Sequence, residues 1–128
     1  MAKGKFVMKI TASGAFRFDL LASNGQVIAT SENYQTKASC INGIESVKKN
    51  AVIAKIEDQT LDQVVLQSHP KFEMYKDKSG EYRFRLKARN GEIIAVSEGY
   101  KQKVSCVNGM ESVTNNAPEA EIKEEIAE

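Results

Sequence analysis

The sequence predicts an α+β fold of two tandem β-β-β-α-β units. Three observations carry this: a gapless internal repeat, alternating apolar positions in the first half of each copy, and a helical apolar stripe in the second half. Shifting the chain by 66 positions lays residues 5–51 over residues 71–117 with 26 of 47 positions identical and no insertion. A match of that kind marks a duplicated structural unit. The 128 residues, 41% of them hydrophobic and 27% charged, have the length and composition of one ordinary globular domain.

In the first copy Phe6, Met8 and Ile10 alternate with more polar neighbours, which puts them on one face of a strand. Ser13-Gly14 then lets the chain reverse. Phe16, Phe18 and Leu20 alternate with Arg17 and Asp19, so the aromatic rings share one sheet face and the charges the other. Asn24-Gly25 suits a type I′ turn onto the strand Val27 to Thr30. The second copy repeats this with Phe72 and Met74, then Tyr82, Phe84 and Leu86, then Asn90-Gly91 and Ile93 to Val96. Each unit therefore contains three antiparallel strands.

The period then changes from two to 3.6. Cys40, Ile44, Val47 and Ala51 fall on one helical face, and Cys106, Met110, Val113 and Ala117 reproduce the stripe. Thr36 is the expected N-cap of the first helix, and Asn50 the expected left-handed residue at its end. Gly43 and Gly109 each cost about 1 kcal/mol of helix propensity, so a close approach of helix to sheet is expected there. Short alternating segments, Ala54 to Ile56 and Ala120 to Ile122, predict a fourth strand in each unit. The division is then a first unit over 1–57, a linker over 58–70, a second unit over 71–123 and an acidic tail over 124–128. Leu61, Val64 and Val65 in the linker are expected to cover a core edge.

Composition excludes several classes. Lys+Arg 18 against Asp+Glu 17 leaves +1, too little for a global field that would attract nucleic acid or membranes. Apolar runs such as Ala51 to Ala54 are far short of the roughly 18 residues of a membrane span. Lys9 and Arg17 interrupt any secretory apolar stretch, so a cytoplasmic address with two reduced thiols is expected. The near-neutral total conceals a segregation. Residues 1–56 sum to +5 and 71–117 to +3, whereas 57–70 sum to −3 and 118–128 to −4.

Candidate chemistry is sparse. Cys40 and Cys106 have no metal-binding or dithiol spacing and sit in apolar stripes, which reads as packing. His69 is the only histidine and has no repeat counterpart, so neither a metal site nor a general base is expected. No cofactor motif is present. Two constellations remain. Arg83, Arg85 and Lys87 alternate with Tyr82, Phe84 and Leu86, so three cations line one strand opposite the helix, a stripe suited to phosphates. Solvation of an open sheet face is its simpler explanation. The other is a set of polar residues present in both copies: Arg17 and Arg83, Glu32 and Glu98, Tyr34 and Tyr100, Lys37 and Lys103. They form a doubled ligand or partner site where the third strand passes to the helix, unless stem packing, Glu–Lys pairing and ring burial already account for them.

The ordered pattern of R-F, A-x-N-G, S-E-x-Y and G-[IM]-E-S-V-x-x-N-A, present twice, resembles the YegP-like family of small proteins built from one or two copies of a domain of unknown function. The resemblance implies one continuous sheet formed by both units, which exchange their last strands, with no activity or cofactor attached. The expectation is thus a pseudo-dimer within one monomeric chain: one antiparallel sheet, two helices on one face. Functionally we expect a non-enzymatic interaction or structural module with a protein partner. The alternatives are a nucleic-acid binder using the basic stripe, and an uncharacterised enzyme or small-ligand binder.

Overall fold

The computed structural model describes residues 3–125, so the last three residues of the acidic tail lie outside the described residues. Alternation builds the strands as expected. β1 (Lys5–Ile10), β2 (Phe16–Leu21) and β3 (Val27–Thr30) form an antiparallel meander. After α1 (Lys37–Ala51) and β4 (Lys55–Asp58), the meander recurs in β5 (Lys71–Lys76), β6 (Tyr82–Lys87) and β7 (Ile93–Val96). α2 (Lys103–Asn116), a 3₁₀ turn and β8 (Glu121–Glu124) complete the chain.

Two local expectations change. Among the described residues only Gly14, Gly25, Gly80 and Gly91 have positive φ, so Asn24 is not left-handed and the hairpin is not type I′. Gly25 instead closes a tight turn on Ala22 O while Ala22 N–H reaches Gln26 O, both at 2.9 Å. That is a type I turn followed by a left-handed glycine, the other common short hairpin. Asn24 keeps its place by accepting the Gln26 N–H at 3.0 Å. Asn50 likewise stays helical, because its side-chain amide donates back to Ser46 O at 2.8 Å. Thr36 does cap α1, in a reciprocal capping box with Ser39.

The eight strands form one sheet in the order β4-β5-β6-β7-β3-β2-β1-β8. β3 meets β7 at Thr30 opposite Val96, positions 66 apart in the repeat, so a pseudo-two-fold axis passes between them. The last strands are exchanged: β4 of the first unit pairs with β5, and β8 of the second with β1. Both exchanged pairs are parallel, so the sheet is mixed rather than antiparallel. The reason is topological. A strand delivered by a helix is free of the tight turn that enforces antiparallel pairing, and a parallel neighbour then requires a long return connection. Residues 59–70 are that return, and the Gln67 N–H on the Glu57 carboxylate, at 2.7 Å, places it across the sheet face opposite the helices.

Both helices lie on the inner face over Phe6, Phe18, Phe72, Phe84, Leu20 and Leu86, all buried. Each large apolar side chain so enclosed contributes about 1.5–3 kcal/mol. Edge-to-face pairs Phe6–Phe18 and Phe72–Phe84, with centroids 5.5 and 5.7 Å apart, repeat on the two sides of the axis. Cys40 and Cys106 are free and buried in this core, and burial pushes each thiol up to about 11, which disfavours the reactive thiolate.

Candidate functional site

Strand alternation places Arg83, Arg85 and Lys87 on the outer face, as predicted, but the hairpin register supplies countercharges. Glu73 lies opposite Arg85 across β5 and β6 and receives Arg85 Nε at 2.6 Å, Lys87 Nζ at 3.2 Å and Lys71 Nζ at 3.2 Å. Burial pushes the Glu73 carboxyl up, but hydrogen bonds from Arg85, Lys71 and Lys87 together outweigh it and hold the group below its usual range. Arg85 also stacks over the Tyr75 ring. Arg83 Nε binds Asp77 at 2.6 Å, and that contact is the main cause holding Asp77 low. All three members of the stripe are thus paired.

The linker closes this side. Glu57, 2% exposed, accepts Lys71 Nζ at 2.8 Å, the Gln67 N–H at 2.7 Å and the Gln59 amide at 2.8 Å. Those contacts, the Lys71 ammonium first, lower its carboxyl to about 2. The linker's aliphatic side chains do not cover a core edge. Leu61, Val64 and Val65 are 49%, 36% and 68% exposed, because the strand face beneath the linker is a charge network that it satisfies with amides instead.

The doubled polar set divides by role. Ser31 and Ser97 Oγ accept the Phe18 and Phe84 N–H groups at 2.9 Å, just past the ends of the β2–β3 and β6–β7 ladders. Tyr34 and Tyr100 bridge to Phe16 and Tyr82 through backbone pairs and stack on Phe18 and Phe84. Each hydroxyl is driven against the helix, so a Cβ on Gly43 or Gly109 would collide with it. The glycines thus admit a tyrosine hydroxyl, and burial raises both phenols. Lys37 binds Glu124 at 2.7 Å and Lys103 binds Asp58 at 2.6 Å, so each lysine holds the other unit's exchanged strand. Arg17 stands 3.7 Å from Asp19.

Glu32 and Glu98 are exposed, and their carboxylates make no hydrogen bond or ion pair among the described residues, while their backbone carbonyls accept the Ser31 and Ser97 hydroxyls at 2.8 Å. Glu32 lines a depression of about 470 Å³ with Tyr34, Lys87 and the start of β7; Glu98 and Tyr100 line its counterpart of about 370 Å³ against Val27 and Ile28. Asn42 and Glu45, on the exposed side of α1, line a cleft of about 420 Å³ against Ala88, Arg89 and Asn90 of the other unit's hairpin. Their repeat counterparts, Asn108 and Glu111, are exposed too. A comparison of the two copies for exposed identities would have found both pairs. The partner of Arg85 was also legible: the Ser79-Gly80 turn sets the register that brings Glu73 opposite it.

A duplicated sheet with exchanged end strands and twice-repeated polar signatures defines a class of tandem small-domain proteins. The chain belongs to the family described as a domain of unknown function, DUF1508, which matches residues 12–58 and 77–124. It is 40% identical over 124 residues to a UPF0339 protein of Mannheimia succiniciproducens, covering 97% of this chain and 96% of that one. A UPF0339 protein of Treponema denticola is 61% identical over 54 residues, 42% of this chain but 93% of its own length, so that relative is about one unit long. The solution structure of yegP from E. coli, a protein of unknown function, is similar with a TM-score of 0.81 and 30% identity, covering 100% of this chain and 97% of that one. No helix among the described residues is long and apolar enough to cross a membrane.

Proposed function

We propose that the protein is a non-enzymatic interaction module that meets a protein partner through two equivalent polar rims, one on each side of the pseudo-two-fold axis. One observation carries this. Of the 26 positions identical between the copies, nearly all have an evident structural duty in core, turn, cap or ion pair, whereas the side chains of Glu32/Glu98, Asn42/Asn108 and Glu45/Glu111 are exposed in both copies and have no partner among the described residues. With 21 of 47 positions free to diverge, idle surface residues have no structural reason to match. The shared chemistry is acceptor-rich, two carboxylates and an amide, and it suits a partner offering hydrogen-bond donors. Each carboxylate rim is open to solvent, so it adds specificity more than affinity.

The test uses the full chain as bait in its native host, with three variants: Glu32, Asn42 and Glu45 to Ala; Glu98, Asn108 and Glu111 to Ala; and all six. A partner retained by wild type, weakened by either triple variant and lost with the sextuple supports two equivalent rims. Capture indifferent to the sextuple variant removes the proposal. The nucleic-acid reading built on Arg83, Arg85 and Lys87 has less support, since each of those three side chains is already paired with Asp77 or Glu73.

A further inference from the structure

The repeat equivalents of the roofed network tell a different story in the first unit. Glu57 corresponds to Lys123, Glu73 to Val7 and Arg85 to Asp19. Strand register sets Lys5 and Lys9 on β1, Arg17 opposite Lys9 on β2, and Lys123 opposite Val7 on β8, all on the outer face. Lys5 and Lys123 are exposed and have no ion-pair partner among the described residues. Three carboxylates accompany them: Asp19, 3% exposed, with Lys9 Nζ at 3.1 Å and Arg17 at 3.7 Å; Glu121, 3.9 Å from Lys3; and Glu125, exposed, which continues the alternation of β8 with its N–H on Met8 O at 2.8 Å. With Lys3 included, five cations face three carboxylates, an excess of positive charge that no roof covers, since the linker lies over the other unit.

We infer that this face, β8-β1-β2 of the first unit, docks the phosphate backbone of duplex nucleic acid without reading sequence. Charge complementarity selects a polyanion. Lys5 and Lys9 stand four residues apart on one strand, about 13 Å, and Arg17 and Lys123 flank them on the adjacent strands, so the cations form a grid rather than a single point. The outward positions of these strands carry no aromatic ring, so no platform exists for unstacked bases, and a duplex presents phosphates without needing one. Val7 is buried at the centre, leaving no apolar wedge to enter a lipid interface.

The full chain is titrated against short labelled duplexes of two unrelated sequences, the corresponding single strand, and phosphatidylserine vesicles, across a salt series. Expected is equal affinity for both duplexes, falling on the order of 100-fold from about 50 to about 200 mM salt, since each neutralised phosphate adds about 0.9 to the slope. Lys9→Gln with Lys123→Gln should shallow the slope by nearly two units, Arg83→Gln should leave it unchanged, and Asp19→Asn should tighten binding. Circular dichroism confirms folding, and Lys5→Gln with Arg17→Gln serves as a second pair should the first not fold. Absence of duplex binding at low salt, an unchanged slope in a folded double variant, tighter binding to the single strand, or preference for vesicles overturns the inference.

Discussion

The outer faces of the two units started from one sequence and now differ in kind. On the second unit Glu57, Glu73 and Asp77 neutralise Lys71, Arg83, Arg85 and Lys87, and the linker seals Glu57 with its amides. On the first unit the same sheet positions hold Lys123, Val7 and Thr11; Lys9 and Arg17 share Asp19, and Lys5 and Lys123 stand exposed without an ion-pair partner among the described residues. The inner faces, by contrast, remain near copies, with matching Phe–Phe edges and Tyr–Phe stacks. Apolar packing tolerates little change in volume, so a duplicated core is held to its pattern, whereas one charge substitution suffices to turn an open face into a closed network.

The largest expected effect separates these faces. Glu57→Ala strips a buried cation of its nearest partner and should destabilise the chain by about 3 kcal/mol, whereas Lys123→Ala at the equivalent position should stay within about 0.5 kcal/mol. Urea denaturation of both variants decides it, and equal losses would break the comparison. Acid sharpens it. The Glu57 carboxyl is lowered from 4.5 to about 2, so its contribution is full above about pH 4.5 and disappears as pH falls toward 2. The difference in melting temperature between wild type and Glu57→Ala should therefore narrow over that interval, and a constant difference would remove the carboxylate from the explanation.

Inside, the units should respond alike. Gly43→Ala and Gly109→Ala each gain helix propensity but push a methyl into a tyrosine hydroxyl, for a net cost of about 1–2 kcal/mol in either unit. Adding Tyr34→Phe to Gly43→Ala should recover part of that loss by denaturant titration, and a loss unchanged by the second substitution would place the strain elsewhere. The smallest effect belongs to the half-exposed pairs Lys37–Glu124 and Lys103–Asp58, where Lys→Ala should cost under about 1 kcal/mol.

Most of the inner face was legible in the sequence because period and repeat both report on burial: Phe18 and Phe84, or Cys40 and Cys106, stand where alternation and the helical stripe put them. The exchange of β4 and β8 had no local signature and came only with the family resemblance, since pairing of a four-residue strand depends on what lies beside it. Parallel pairing was missed for the same reason, although a 12-residue return between β4 and β5 is what such a pair requires. The candidate site was half legible. Tyr34, Lys37 and their copies were visible as repeated residues, but their structural duties depend on Gly43, Glu124 and Asp58, which the chain brings to them only once folded.

Both outer faces exist because each unit's last strand completes the other unit's sheet. A chain of residues 1–58 alone should lack a partner for β4 and a neighbour for β1, leaving backbone groups unpaired and the Phe6 side of the core uncovered. A second copy supplies both, restoring the sheet around a true two-fold axis. Sedimentation equilibrium at moderate ionic strength measures this directly. The expected result is a folded homodimer whose melting temperature rises with concentration. A folded, concentration-independent monomer would show that each unit closes its own core and would contradict the exchange.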